Sequence, residues 1–290
     1  MKLLELYKVK KNSIVAVLSI YRRTQYLQEQ IEAVLNQTIP PKDIFIWVNK
    51  HEDNEEFVNK KLYPLLDTYD YANFRVIKND YNWKFHGRFS IAQMAQSEYV
   101  CVFDDDTIPG KKWFENCIKS MKLKNGMMGS IGEKYCLVSD QEINMRSIEG
   151  WRSNNEIIKR VDVIGHSWFF RKEWLKYLWA EEPVTWDVCE DIQFSFCLQK
   201  YGGIYSYVPP QPISDLDLCG SLKGYEYGGD EVASYILNMD EWRGKGTVRQ
   251  LAYLEYIINR GMELTEGKNT MGKESVGWLW EDGELKEEYI

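Results

Sequence analysis

The stretch Tyr99-Val-Cys-Val-Phe-Asp-Asp-Asp-Thr-Ile-Pro109 places three consecutive carboxylates directly after a short apolar run. The run from Tyr99 to Phe103 is continuous, which is typical of a strand buried on both faces. Three adjacent carboxylates repel one another, so folding tolerates them at a strand end when positive charge lies nearby. An isolated acid triplet is more simply a solvated turn. Its position after a buried strand instead favours a site for Mg²⁺ or Mn²⁺ and phosphate at Asp104–Asp106.

Apolar strands and amphipathic helices alternate along the chain up to and just beyond this stretch. Continuous apolar runs predict strands at 14–20, 44–48, 74–77 and 99–103. Helical spacing of apolar residues predicts a helix between Thr24 and Pro40, helices at 54–66 and 89–96, and a helix after Pro109-Gly110. Such alternation predicts an α/β fold with a mostly parallel sheet flanked by helices. Ligands of these sheets bind outside the carboxyl ends of the strands, where the acid triplet stands.

The second half of the chain is less regular. It offers strand-like segments at 127–138 and 156–164, a helix from Arg171, a helix over 191–200 and a strand over 203–208. We expect an amphipathic helix near 247–259 and a polar tail over the last thirty residues. We therefore expect a catalytic domain over 1–215, with 216–290 as a C-terminal lid, helix and tail packed on the same domain.

Composition narrows the classes of function. The chain has 290 residues with a net charge of −8, which argues against a nucleic-acid binder. Its 11 Trp and 19 Tyr suit a protein that stacks on sugar rings or nucleobases. The sequence lacks the glycine-rich and metal-binding motifs of P-loop kinases, Rossmann dehydrogenases, zincins and α/β-hydrolases.

The cysteines and the apolar runs bear on the compartment. None of the six cysteines forms a C-x-x-C pair, and most stand in apolar surroundings where a thiol acts as a small hydrophobe. No apolar run is long enough to form a transmembrane segment. We expect a reducing, cytoplasmic location.

A second chemical signal is the pair Glu190-Asp191, which opens an amphipathic helix in Trp186-Asp-Val-Cys-Glu-Asp-Ile-Gln-Phe194. Acidic residues favour a helix N-terminus because of the helix dipole, and this alone accounts for either acid.

Three stretches together resemble the nucleotide-sugar domain of family-2-type glycosyltransferases with the GT-A fold, over roughly residues 13–215. They are 15–27, 31–38 and the acid-triplet stretch 99–109. The resemblance implies a nucleotide-diphosphate sugar donor such as a UDP- or GDP-sugar, Mn²⁺ or Mg²⁺ at Asp104 and Asp106, and a glycan or other hydroxyl acceptor. One departure is Trp47-Val-Asn49-Lys-His51, where family members often carry Asp. This stretch resembles exostosin-type GT-A enzymes and makes Asn49 a candidate for base recognition.

The resemblance also implies roles for single residues. Donor contacts fall to Ser19, Tyr21, Asn49, Arg88, Asp104 and Asp105. The alternative for Arg88 is a surface arginine at a helix start. Asp191 is the expected general base of an inverting transfer, with Glu190 in reserve. Acceptor contacts fall to Trp168, which could stack on a sugar, to His166, which could instead bind the metal or simply form a hydrogen bond, and to Trp186, which is individually more typical of a core.

Two alternatives stay open at this stage: a sugar nucleotidyltransferase and a non-catalytic carbohydrate-binding protein. The first needs a glycine-rich loop for a triphosphate, which Ser19-Ile-Tyr-Arg-Arg23 is not, and the second has no need of the acid motifs. The segment after Pro212 contains Gly220, Gly224, Gly228 and Gly229. It suits a mobile lid that brings Arg243, Lys245 or Arg249 to the diphosphate, or else an ordinary surface loop.

Overall fold

The structure, a computed structural model, describes residues 9–150, 155–229, 246–265, 276–281 and 284–289. Its strands are β1 (Ile14–Ile20), β2 (Asp43–Val48), β3 (Phe74–Lys78), β4 (Tyr99–Phe103), β5 (Gly126–Ser139), β6 (Glu142–Gly150), β7 (Lys159–Val161), β8 (Val163–Arg171), β9 (Tyr205–Val208), β10 (Val276–Glu281) and β11 (Glu284–Tyr289). Its α-helices are α1 (Leu27–Leu35), α2 (Asn54–Phe57), α3 (Tyr63–Asp67), α4 (Gly87–Ile91), α5 (Trp113–Leu123), α6 (Leu175–Leu178), α7 (Glu190–Gly202), α8 (Gly224–Tyr227) and α9 (Val248–Leu254).

The main sheet has the order β3-β2-β1-β4-β8-β5-β9-β7, with β6 paired to β5. The four strands predicted before residue 104 form its parallel half, because β1 pairs in parallel with both β2 and β4 and β2 with β3. β1 and β4 are buried on both faces, which explains their continuous apolar runs. The predicted fold class, a central mostly parallel sheet flanked by helices, is confirmed.

The second half adds antiparallel strands that the sequence predicts only in part. β8 lies antiparallel between β4 and β5, and β5 forms a hairpin with β6, a strand that the apolar pattern did not indicate. A register shift between Lys134 and Tyr135 interrupts the alternation along this hairpin. The helix expected from Arg171 begins instead at Lys172 as a 3₁₀ turn, because Arg171 ends β8 in pairing with Tyr99.

The described C-terminal residues pack on the same body as the sheet. Backbone hydrogen bonds join the 108–112 loop to residues 217–222, from Gly110 N to Cys219 O and from Leu222 N to Ile108 O. α9, continued by a π-helical turn over Glu255–Asn259, packs with α7 and β5 in an apolar cluster that includes Phe196, Tyr253 and Ile257.

We expected the last thirty residues to form a polar tail without regular structure. Near the end of the chain, β10 and β11 instead pair as an antiparallel hairpin. Residues 230–245, a part of the expected lid that includes Arg243 and Lys245, lie outside the described residues. Within the described ranges, no helix combines the length and the apolar character needed to cross a membrane. All six cysteines are buried thiols without a disulfide.

Candidate active site

The acid triplet lies at the carboxyl end of β4, opposite His166 on β8. The antiparallel register pairs Phe103 with Ser167, so the next backbone group, Asp104 N, donates to His166 O at 2.9 Å. Thr107 Oγ1 donates to the same carbonyl at 3.0 Å. His166 has a left-handed φ of 61°, a conformation uncommon for a residue with a side chain. This backbone brings its Nδ1 to 3.6 Å from both Asp104 Oδ2 and Asp106 Oδ1.

Two buried arginines bind Asp104 and Asp106 through the carboxylate oxygens that do not face His166. Arg88 donates to Asp104 Oδ1, and Arg23 donates to Asp106 Oδ2 at 2.6 Å and to Asp105 Oδ1 at 3.2 Å. The inner oxygens of Asp104 and Asp106 are thereby directed toward His166. The positive charge that three adjacent carboxylates require is thus supplied in this structure by Arg23 and Arg88.

The chemistry of this group fits a divalent cation. One ligand atom from each of Asp104, Asp106 and His166 lies within 4.8 Å of the others. Burial raises the pKa of Asp106, but His166 and Arg23 outweigh it and lower that pKa, so the carboxylate stays ionised. Two carboxylates with one imidazole suit Mn²⁺ better than Mg²⁺, which prefers oxygen ligands. Of the residues that we predicted for the acceptor side, His166 instead joins the candidate metal ligands.

Arg88 connects the acid triplet to the second acidic motif. It is 5% exposed and donates from Nη2 to Glu190 Oε1 at 2.7 Å while Nη1 holds Asp104. Its guanidinium lies 4.4 Å from the ring centre of Trp168. Arg88 is therefore a buried bridge between two carboxylates, which excludes the alternative of a surface arginine.

Asp191 points away from this bridge, toward α9. Its Oδ1 accepts from Ile192 N at 2.7 Å, and its Oδ2 accepts from Tyr253 Oη at 3.3 Å. Burial, followed by the charge of Glu190, raises the pKa of Asp191 to about 7. The helix N-terminus alone would lower this pKa, so burial outweighs the dipole here. Cys189, which precedes the pair, has a left-handed φ of 69°, a strained conformation of the kind found at functional sites.

The predicted donor residues lie at the carboxyl ends of β1 and β2. Ser19 Oγ is buried and has no hydrogen-bond partner in the described chain, so a ligand atom would satisfy it. Tyr21 contacts His51 edge-on, with ring centres 5.4 Å apart. Asn49 supports the local structure, because its Oδ1 accepts from Trp47 Nε1 at 3.1 Å and from Trp83 N at 3.2 Å, and its Nδ2 donates to Lys84 O at 3.1 Å.

Gly87 permits the close packing of this donor-side loop. A Cβ at Gly87 would lie 2.6 Å from both Trp47 Cζ2 and Trp83 Cβ. We expect Gly87→Ala to lower the free energy of unfolding by about 1–3 kcal/mol, because neither tryptophan can retreat without breaking its hydrogen bond to Asn49. Thermal unfolding measures this. Ser90→Ala, at an exposed position of the same helix, should change stability by less than about 0.5 kcal/mol. Equal effects of the two variants would contradict this packing.

The two tryptophans predicted for the acceptor occupy different environments. Trp168 is 2% exposed and packs beneath Arg88, so its predicted stacking on a sugar is wrong in this structure: β8 directs the ring into the core. Trp186 is 53% exposed and stacks on Trp179, with ring centres 6.1 Å apart. Its face remains a candidate sugar contact beside the N-terminus of α7.

The described part of the expected lid, around α8, lies against the acid triplet. Gly228 O accepts from Arg23 Nη2 at 3.5 Å, and a Cβ at Gly228 would lie 3.5 Å from Asp106 Oδ2. Tyr227 stacks on Tyr26 with ring centres 3.9 Å apart. Arg249, expected at the diphosphate, instead donates to Glu133 Oε2 at 3.0 Å, near Asp191.

The sequence interpretation missed Arg23 and Tyr253 as site residues. Arg23 belongs to the Tyr-Arg-Arg run directly after β1, and its place at a strand's carboxyl end was a usable signal. No local sequence signal marked Tyr253, because only the packing of α9 on α7 brings it to Asp191.

Comparisons with known proteins agree with this fold. The family described as Glycosyl transferase family 2 matches residues 15–179, more than half of the chain. No curated protein sequence matches. Among solved structures, GalNAc-T7 with UDP, GalNAc and Mn²⁺ is similar with a TM-score of 0.53 and 10% identity, over 68% of this chain and 42% of that chain. S. aureus TarS 1-349 aligns with a TM-score of 0.47 and 14% identity, over 69% of this chain and 61% of that chain.

The chain thus spans less than two thirds of the length of each of these solved structures. The sheet order, the acid triplet at the end of β4 and the match over residues 15–179 lead to one conclusion. The chain belongs to glycosyl transferase family 2 and has a GT-A fold.

Proposed function

We propose that this chain transfers a sugar from a nucleoside-diphosphate donor, a UDP- or GDP-sugar, to a hydroxyl of a glycan or other acceptor, with inversion at the anomeric carbon. The observation that carries the proposal is the pairing of two sites through Arg88. Asp104, Asp106 and His166 form a candidate cation site, and Glu190-Asp191 begins a helix across from it.

The proposed metal site rests on the kinds of ligand atom that the chain brings together. Asp104, Asp106 and His166 would hold Mn²⁺, or Mg²⁺ with weaker preference. GalNAc-T7, a protein of similar fold, was crystallised with UDP and Mn²⁺, which supports but does not carry the assignment. When bound, such an ion neutralises negative charge that develops on a diphosphate leaving group.

The chain's own residues supply the remaining roles. Asp191 accepts the proton of the acceptor hydroxyl as that oxygen attacks the anomeric carbon from the face opposite the diphosphate. Glu190 is the reserve candidate for the base: burial raises its pKa, but its ion pair with Arg88 favours the charged form and so lowers its affinity for a proton. The Ser19 hydroxyl and the Tyr21 ring lie at the strand ends where the donor binds, and Trp186 offers a face to the acceptor.

The raised pKa of Asp191 predicts the pH dependence of the reaction. A base must be deprotonated, so kcat/KM should increase with pH through an acid limb near pH 7. Burial and the charge of Asp106 also raise the pKa of Asp105 to about 7, so Asp105→Asn serves as a control that should leave the limb in place. A limb that stays below pH 5, or one that disappears in Asp105→Asn, would contradict the assignment to Asp191.

Thermal unfolding with a nucleotide panel tests donor binding without an acceptor. UDP or GDP with Mn²⁺ at a hundred times Kd should stabilise the chain by about 2.7 kcal/mol. In Asp106→Asn, the share of this stabilisation that depends on Mn²⁺ should disappear. Absence of stabilisation by any nucleoside diphosphate would contradict the proposed donor class.

A further inference from the structure

A buried cluster on the far side of Asp191 joins the C-terminal helix to the proposed base. Tyr253, 2% exposed, donates from Oη to Asp191 Oδ2 at 3.3 Å. One turn earlier on the same helix, Arg249 Nη2 lies 3.3 Å from Tyr253 Oη and 3.0 Å from Glu133 Oε2. The tyrosine hydroxyl thus accepts from a cation and donates to a carboxylate.

The direction of these bonds gives the cluster a consequence for Asp191. A hydroxyl that accepts a hydrogen bond from a guanidinium becomes a stronger donor, because bonds in a chain polarise one another. A donor to a carboxylate stabilises its charged form and fixes its orientation. Tyr253 therefore opposes the burial that favours protonated Asp191.

The surroundings of Tyr253 hold it in this position. Its ring packs against Tyr135 with centres 4.9 Å apart, and Tyr135 N donates to Asp162 Oδ2 at 2.8 Å. Asp162 Oδ1 in turn accepts from Thr265 N at 2.5 Å, beyond the end of the helix. These contacts thus connect Tyr135 of β5 both to α9 and, through Asp162, to Thr265.

We propose that Tyr253 and Arg249 are positioning residues that orient the carboxylate of Asp191 and favour its ionised form, so that the segment after residue 215 takes part in base catalysis. This inference rests on the proposed function, in which Asp191 is the base. It extends the reaction from the proposed base to α9, which also lies beyond 15–179, the range that the family match covers.

Several titratable groups surround Asp191, and the test must separate them from Tyr253. Those facing it are Glu190 at the start of α7 and Cys189 just before it, Glu133 and Tyr135 on β5, and Arg249 and Tyr253 on α9. Tyr253→Phe removes one hydroxyl and leaves every charged group of this set in place.

The matched control is Tyr256→Phe. Tyr256 is 1% exposed and lies in the π-helical turn that continues α9. Its hydroxyl accepts from Val184 N at 3.0 Å and donates to Gln193, and no hydrogen bond joins it to Asp191. Both variants lose a buried hydroxyl, so a merely structural role predicts similar losses of stability and no difference in titration.

Two readouts follow the ionisation of Asp191. A ¹³C NMR titration of the aspartate carboxyl carbons, with the signal assigned by Asp191→Asn, reports its pKa without turnover. The acid limb of kcat/KM for nucleotide release reports it during the reaction. Tyr253→Phe should raise this pKa and move the limb upward by about one pH unit, with kcat lowered about tenfold, whereas Tyr256→Phe should move neither.

The results separate the role of Tyr253 from the proposed function. An unchanged Asp191 titration in Tyr253→Phe, or equal shifts in both variants, overturns the inference. Absence of turnover in the unaltered chain, with the titration shifted only by Tyr253→Phe, contradicts the proposed function and supports the contact. If Tyr253→Phe does not fold, Arg249→Met carries the same test, because loss of the cation should raise the pKa of Asp191 as well.

Discussion

Asp191→Asn should lower kcat by about 10²–10⁴-fold while nucleotide binding stays within a few-fold of that of the unaltered chain. The amide keeps the size of the side chain but cannot accept the acceptor's proton. Its Oδ1 can still accept from Ile192 N, and its Nδ2 can donate to Tyr253 Oη in place of the bond that Tyr253 donates to Asp191 Oδ2 at 3.3 Å, so the variant should fold. Single-turnover kinetics with the active donor, alongside nucleotide titration, measure both quantities.

Glu190→Gln is the control for this prediction. Glu190 pairs with Arg88 at 2.7 Å, so its amide should loosen the bridge to Asp104 and affect donor binding more than proton transfer. The acid limb should remain in Glu190→Gln but move to lower pH, because the charge of Glu190 no longer raises the pKa of Asp191. Near-normal turnover of Asp191→Asn with inactive Glu190→Gln would assign the base to Glu190. Full activity of both variants, or a product with retained configuration, would contradict an inverting mechanism.

Asp106→Asn should abolish metal-dependent turnover, a loss of about 10³-fold or more, because metal ions contribute several kcal/mol to stabilising charge in such transfers. Asp106 Oδ1 is one of the two oxygens that lie 3.6 Å from His166 Nδ1. The neutral amide removes one anionic ligand and the main partner of Arg23 together. Mn²⁺ titration followed by electron paramagnetic resonance measures the lost affinity independently of turnover.

Asp105→Asn provides the matched comparison. Asp105 contacts Arg23 at 3.2 Å and is not one of the three residues in the candidate cation group. Its Mn²⁺ affinity should stay near that of the unaltered chain. Equal losses in the two variants would mean that total negative charge, and not the Asp104–Asp106–His166 arrangement, binds the ion.

The parallel half of the sheet was predictable because three of its four strands, β1, β2 and β4, are buried on both faces. Burial of that kind leaves a continuous apolar run such as 14–20, which does not depend on partners far along the chain. The carboxyl end of β4 was predictable for the same reason, and with it the position of the acid triplet. The strand β6 was not, since six of its nine residues are only half-buried and a register shift interrupts the hairpin.

Contacts between distant residues limited the prediction of the site. Trp168 and His166 stand two residues apart on β8, and the sequence placed both toward the acceptor. The strand directs Trp168 into the core beneath Arg88, while the left-handed backbone at His166 turns its ring toward the acid triplet. Tyr253 reaches Asp191 over 62 residues of chain, a contact that no local pattern encodes.

The domain boundary at residue 215 stays a proposal. The hydrogen bonds from the 108–112 loop to residues 217–222 support a C-terminal segment packed on the catalytic body. The contact of Gly228 O with Arg23 supports a role for the residues around α8 at the donor.

Release of nucleoside diphosphate from a panel of UDP-, GDP- and TDP-sugars tests the central claim most directly. The full chain, Mn²⁺ and a set of glycan acceptors are incubated with each donor, and NMR identifies the product. The account predicts release from at least one donor, loss of that release with EDTA and in Asp106→Asn, and a product of inverted anomeric configuration. Release that survives both EDTA and Asp106→Asn, or pyrophosphate formed from a nucleoside triphosphate and a sugar phosphate in its place, would contradict it.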